Sequence, residues 1–142
     1  MYQRILVALE NSRADESLIP HVRDLARRLG SRLLLLHVAD GWAARNFEQL
    51  SLAESEEMKA DREYLETTAQ ALRTAGLEVF TCLALGNPPT EIIKTAAREQ
   101  CDLIAMTTHG HRFLADLIHG STITEVRHRA TIPVLLVRAA AL

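Results

Sequence analysis

The chain lacks an excess of charge of either sign, a cysteine pair at ligand spacing, and any long hydrophobic run. Its 16 basic and 18 acidic residues give a net charge of -2, which offers no ground for a nucleic-acid surface. Cys82 and Cys101 stand on separate predicted strands without a CxxC or Cys/His pattern, and read as buried reduced thiols of a reducing cytoplasm. The apolar start passes at once into polar residues, too short for a secretory signal or a membrane span, so a soluble cytoplasmic protein with no membrane partner is expected. Also missing are a GxxxxGK loop followed by Ser or Thr, an HExxH pair, a catalytic-triad pattern, and the SGGxDS and HxGH loops of enzymes that act on the α-phosphate of ATP. With them go the ordinary signatures of fast hydrolysis and of a dedicated metal site; no catalytic residue is assigned. No repeat, low-complexity tract or linker interrupts the chain.

What remains is an ordinary globular composition, 142 residues with 48% apolar, enough for one domain over residues 1–142 with a single core. Residues 4–9 (RILVAL), 32–39 (RLLLLHVA) and 102–107 (DLIAMT) are short, near-continuous apolar runs, the pattern of strands covered on both faces. Residues 77–85 alternate in part, as an edge strand does, and residues 133–138 (PVLLVR) form a fifth run. Between them Leu18, Val22, Leu25, Ala26 and Leu29 recur at helical spacing up to Gly30, with Pro20 predicting a late or adjusted start. Met58, Leu65, Ala69 and Leu72 mark a long helix whose Asp61, Glu63 and Glu66 read as a solvated face. A third helix after Gly86-Asn87-Pro88-Pro89 turns Ile92, Ile93, Ala96 and Ala97 inward, and a fourth carries Ile123, Val126 and Ala130.

Five strands alternating with helices predict an α/β fold: a single-domain, doubly wound, five-stranded parallel sheet of order 3-2-1-4-5 with helices on both faces. In such a sheet a ligand crevice opens beyond the carboxyl ends of the first and fourth strands, where the order reverses. Glu10-Asn11-Ser12 would then face the stretch from Thr107 to Thr122. The irregular residues 41–51 are the expected mobile or lid segment, with Trp42 packing on its own loop, and His37 reads as a satisfied core histidine.

The stretch from Met106 to Glu125, MTTHGHRFLADLIHGSTITE, carries Gly110, nine residues, then Gly120-Ser121-Thr122 at the start of a predicted helix. Glycine permits close backbone approach and a helix N-terminus offers free N–H groups, so this layout suits an anion such as phosphate. Thr122-x-x-Glu125 also fits a capping box, which leaves a purely structural reading open for those two residues. His109, His111 and His119 crowd the motif without metal-ligand spacing; His109 or His111 beside phosphate is the preferred reading, and no metal ligand is assigned.

These segments, RILVALENS, LLLLHVAD, GNPPTEIIKTA, CDLIAMTTHG with GS nine residues on, and IPVLLVR, resemble the universal stress protein family along nearly the whole chain. Its nucleotide-binding members are similar in showing Gly-x-x-Gly, nine residues, then Gly followed by Ser or Thr. Here the positions are Thr107, Gly110, Gly120 and Ser121, and Glu10 stands where such members have Asp. Threonine adds a branched side chain that resists positive φ, and also a hydroxyl able to bond a ribose. The resemblance implies binding of ATP or AMP, with Mg²⁺ accompanying ATP, and binding rather than turnover beyond slow hydrolysis. It implies phosphate contacts from Gly110, Gly120, Ser121 and Thr122, Thr107 near the ribose, and Glu10 and Val38 at the nucleoside. The strand order adds Ala8, Leu9, Asn11 and Ser12 to that side of the site, and the motif's own residues put His109, His111 and Arg112 beside the phosphates. The apolar fifth strand would lie on an open sheet edge, which together with the resemblance predicts a homodimer through that strand. A dimeric interaction module of the same family that binds no nucleotide is the alternative.

Overall fold

Two apolar runs, RILVAL and RLLLLHVA, lie side by side at the centre of the sheet, because the first two strands pair in parallel from Arg4 opposite Arg32 to Leu9 opposite His37. The structure, a computed structural model, describes residues 1–39, 56–109 and 116–140, with the helical backbone alone for 116–121. Its strands are β1 (Arg4–Leu9), β2 (Arg32–Ala39), β3 (Val79–Leu85), β4 (Leu103–Thr108) and β5 (Val134–Arg138). They form one parallel sheet of order β3-β2-β1-β4-β5, as the strand pattern predicts. The helices are α1 (Asp15–Leu29), α2 (Glu56–Thr74), α3 (Pro88–Arg98) and α4 (Asp116–Arg129).

The two-residue period of a strand sorts the apolar runs into two cores. Ile5, Val7, Leu33 and Leu35 pack on one face against Leu18 and Val22 of α1 and Leu65 and Ala69 of α2. Leu6, Leu34, Leu36 and Met106 pack on the other against Ile92 and Ala96 of α3 and Val126 of α4. Both faces of the central strands are therefore buried, which is why their sequences read as continuous rather than alternating.

Helix ends follow local chemistry. Gly30 closes α1 in the left-handed region at φ 69 and returns its N–H to the Ala26 carbonyl. Asn87 caps α3 by accepting from the Thr90 N–H, with Pro88 and Pro89 in the first turn, where no donor is required. The Gly86 N–H donates to the Ala39 carbonyl at 3.1 Å and so ties the end of β3 to the end of β2. Asp102 accepts from the Gln3 and Arg4 amides and joins the start of β1 to β4.

Four expectations change. The first helix does not start after Pro20 but runs through it from Asp15; Pro20, which has no N–H to offer the residue four positions back, and Glu16 at that position are both exposed. On α3 it is Thr95 that is buried while Ala97 is exposed, since the inward face follows positions 92, 95 and 96. Asp61 is not on a solvated face of α2 but 7% exposed. Helix α4 begins at Asp116, so Gly120 and Ser121 fall in its second turn and Thr122 is interior rather than a cap.

Cys101 is buried and Cys82 half-buried, both as free thiols, and burial pushes the Cys101 thiol up to about 11, away from reactivity. No helix among the described residues is long and apolar enough to cross a membrane.

Thr95 is fully buried, and its hydroxyl finds no hydrogen-bond partner among the described residues. Replacing it by the isosteric valine removes a desolvated polar group, so Thr95→Val is expected to stabilise the fold by about 1 kcal/mol. The urea midpoint measures this, and a lower midpoint would contradict it.

Candidate functional site

The site starts from the turn that leaves β1. Asn11 adopts φ 58, a left-handed conformation that asparagine tolerates better than most residues. Asp15, the first residue of α1, reaches back to hold this turn: one carboxylate oxygen accepts the Glu10 N–H at 3.0 Å and the other the Asn11 N–H at 2.9 Å. The Tyr64 hydroxyl of α2 donates to the second oxygen at 2.5 Å. Asp15 is 1% exposed, and burial raises its carboxyl above the ordinary value in spite of the hydrogen bonds that pull it down. Burial, then the Asp15 neighbour, likewise raises the Tyr64 phenol. Ser12 belongs to the same turn: its hydroxyl accepts from the Ala14 N–H at 3.3 Å and its carbonyl from the Asp15 N–H at 3.1 Å. It shapes the entry to α1 and is not part of the cavity wall.

Beyond this turn a cavity of about 430 Å³ opens across the carboxyl ends of β1, β2 and β4. Ala8, Leu9, Glu10 and Asn11 line it from the first strand and its turn, Leu36 to Ala39 from the second, and Met106 and Thr107 from the fourth. Thr122 and Ile123 of α4, Pro88 and Ile92 of α3, and Glu57, Ala60 and Asp61 of α2 complete the wall. Of the residues singled out from sequence, Ala8, Leu9, Glu10, Asn11, Val38, Thr107 and Thr122 are thus brought together. Gly110, His111 and Arg112 lie outside the described residues, as do Trp42 and residues 41–51, and the side chains at 116–121, Ser121 and His119 included, are not described.

Two polar clusters shape the wall. In the first, Glu10 crosses from the end of β1 to β4: its Oε2 accepts from the Thr107 hydroxyl at 2.6 Å and from His109 Nε2 at 2.8 Å. A carboxylate only accepts here, so Nε2 of His109 carries the hydrogen. Thr107 is 3% exposed and sits in the regular extended ladder of β4 opposite Val137. It therefore needs no positive φ, and its branched side chain fits a strand without strain.

In the second cluster, His37 points its Nδ1 at the Leu9 carbonyl, 2.8 Å away, so Nδ1 carries a hydrogen and donates it. Its Nε2 faces Oδ1 of Asp61 at 3.5 Å, and Asn11 Nδ2 donates to the same oxygen at 2.9 Å. His37 is the satisfied histidine its strand suggested, and it also lines the cavity. Asp61 escaped the sequence reading because its helix is rich in acids. The available signal was its place in the series Met58, Asp61, Leu65, Ala69 and Leu72, an acid on the buried face of α2. Asp15 and Tyr64, which brace the turn without lining the cavity, left no comparable trace. No group of three or more His, Cys, Asp or Glu that could hold a metal ion occurs among the described residues.

Comparison with known proteins agrees with this architecture. The sequence model of the universal stress protein family matches residues 1–138. The universal stress protein MJ0577 of Methanocaldococcus jannaschii is 26% identical, over 97% of this chain and 96% of its own. Its solved structure superimposes with a TM-score of 0.80 at 27% identity, covering 100% of this chain and 99% of the other. The fold is shared by a universal stress protein solved in complex with cAMP, at a TM-score of 0.71, 17% identity and 98% coverage of both chains. It is shared also by the universal stress protein of Archaeoglobus fulgidus in complex with dAMP, at a TM-score of 0.71, 21% identity and coverage of 96% and 98%. With the family pattern spanning nearly its entire length on this sheet order, the chain belongs to the universal stress protein family.

Proposed function

We propose that this chain binds an adenine nucleotide, ATP or AMP, in the crevice at the ends of β1, β2 and β4, and acts in the cytoplasm in stress response or signalling. The observation that carries the reading is the crevice itself, formed where the strand order reverses and lined by the β1 turn and the β4–α4 side together. The cAMP and dAMP named for two proteins of the same fold belong to this ligand class. In the proposed pose the base lies against Val38, the ribose near Thr107, and the phosphates against Gly110, Gly120, Ser121 and Thr122. ATP would bring Mg²⁺ on its phosphates, whereas AMP needs none. The proposed role is binding, with slow hydrolysis of ATP at most.

A competing reading keeps the family and drops the nucleotide, leaving a dimeric interaction module. Its support is that Glu10 is already engaged by Thr107 and His109. Calorimetry separates the two. Titration with ATP and with AMP is expected to show saturable binding at millimolar nucleotide or below, weakened at least tenfold by Gly120→Asp, roughly 1.4 kcal/mol. A wild-type protein that takes up neither nucleotide would leave only the interaction module.

Both readings include a homodimer through β5. Val134, Leu135, Leu136 and Val137 are only half-buried on an edge strand, and an apolar open edge invites pairing with another chain. Light scattering is expected to give twice the chain mass at working concentrations; a monomer would contradict the assignment.

A further inference from the structure

We propose that Asp61 reads the base of the bound nucleotide, its Oδ2 accepting an N–H from an exocyclic amine. The inference rests on the nucleotide reading and goes beyond it by naming the residue that selects the base. Asp61 is 7% exposed and lines the cavity, yet its two oxygens are treated differently by the protein. Oδ1 accepts from Asn11 Nδ2 at 2.9 Å and faces His37 Nε2 at 3.5 Å. Oδ2 has no hydrogen-bond partner among the described residues. Asp61 as a whole is nearly buried in a wall that Ala60, Val38 and Ala39 also line, so the acceptor capacity its oxygen keeps is available to a ligand donor entering the cavity.

Charge sets the orientation of the ligand. Asp61 and Glu57 on α2 place two carboxylates at the β2 side of the cavity, whereas Glu10, the third in its wall, is engaged by Thr107 and His109, so the charge balance favours a phosphate chain toward Thr122. The uncharged end of the nucleotide, its base, is then the part that meets Asp61. An acceptor-only side chain in that place favours a base with an amino group at position 6, as in adenine. It opposes one with a carbonyl there, as in hypoxanthine, because two acceptors would face each other. The link from Asp61 to Asn11 holds the carboxylate in place, so the preference is built into the wall rather than left to a mobile side chain.

The test compares ATP with inosine triphosphate by calorimetry on the full chain. The wild type is expected to bind ATP at least tenfold more tightly. Asp61→Asn retains an oxygen for Asn11 and turns an N–H donor into the cavity, so the preference should shrink to twofold or reverse. Asp61→Ala, checked for folding by its melting curve, should remove the preference while keeping binding of both nucleotides. Equal wild-type affinities, or an unchanged preference in both variants, would overturn the role of Asp61 and leave the nucleotide reading standing. Failure of the wild type to bind either triphosphate would overturn both.

Discussion

The polar contacts described for the crevice converge on the turn at Glu10 and Asn11, where Asn11 is left-handed and Asp15 accepts both N–H groups. With those amides committed inward, the side chains of the turn are free to face outward in two directions. Glu10 goes to β4, where it meets Thr107 and His109. Asn11 goes to α2, where it meets Asp61. The carbonyl of the preceding residue, Leu9, receives His37 of β2. One clamped turn thereby coordinates three strands and a helix around one cavity, and Tyr64 fastens the clamp itself to α2.

The two departures from the family's nucleotide-binding pattern are in contact with each other. A threonine where the pattern has glycine would stand as an isolated hydroxyl at the buried end of β4, and a glutamate where it has aspartate would overreach. Together they form a 2.6 Å hydrogen bond between the first and fourth strands. The additional methylene of Glu10 is the length that reaches Thr107, and the Thr107 hydroxyl is the donor that a glycine could not offer. Their pairing turns two separate objections into a single local rearrangement of the wall, one that adds a cross-strand link at the point where the strand order reverses.

Much of the fold was legible because its central strands are buried on both faces and so read as unbroken apolar runs, while Gly30, Gly76 and the Asn87-Pro88-Pro89 signal mark helix boundaries. Where periodicity was overridden, the causes are local. Pro20 is tolerated on an exposed side of α1, and helix α4 runs from Asp116 through the Gly120-Ser121 signal rather than starting at it. The site was legible as backbone landmarks, at Glu10, Val38 and Thr107, but not as a network. Sequence spacing cannot reveal that residues 10 and 107, or 11 and 61, are within hydrogen-bond reach, because those distances are created by the sheet order and by the packing of α2. Asp61 illustrates the difficulty: an acid among acids, distinguished only by falling in line with Met58 and Leu65.

The account stands on the crevice as the place where nucleotide is held. Amide chemical shifts followed by NMR during a titration with AMP test that claim most directly, since they report location as well as binding. The expected result is a set of saturable shifts concentrated at the ends of β1, β2 and β4, including Glu10, Asn11, Val38 and Thr107. Shifts confined to other surfaces, or none at millimolar AMP, would contradict it.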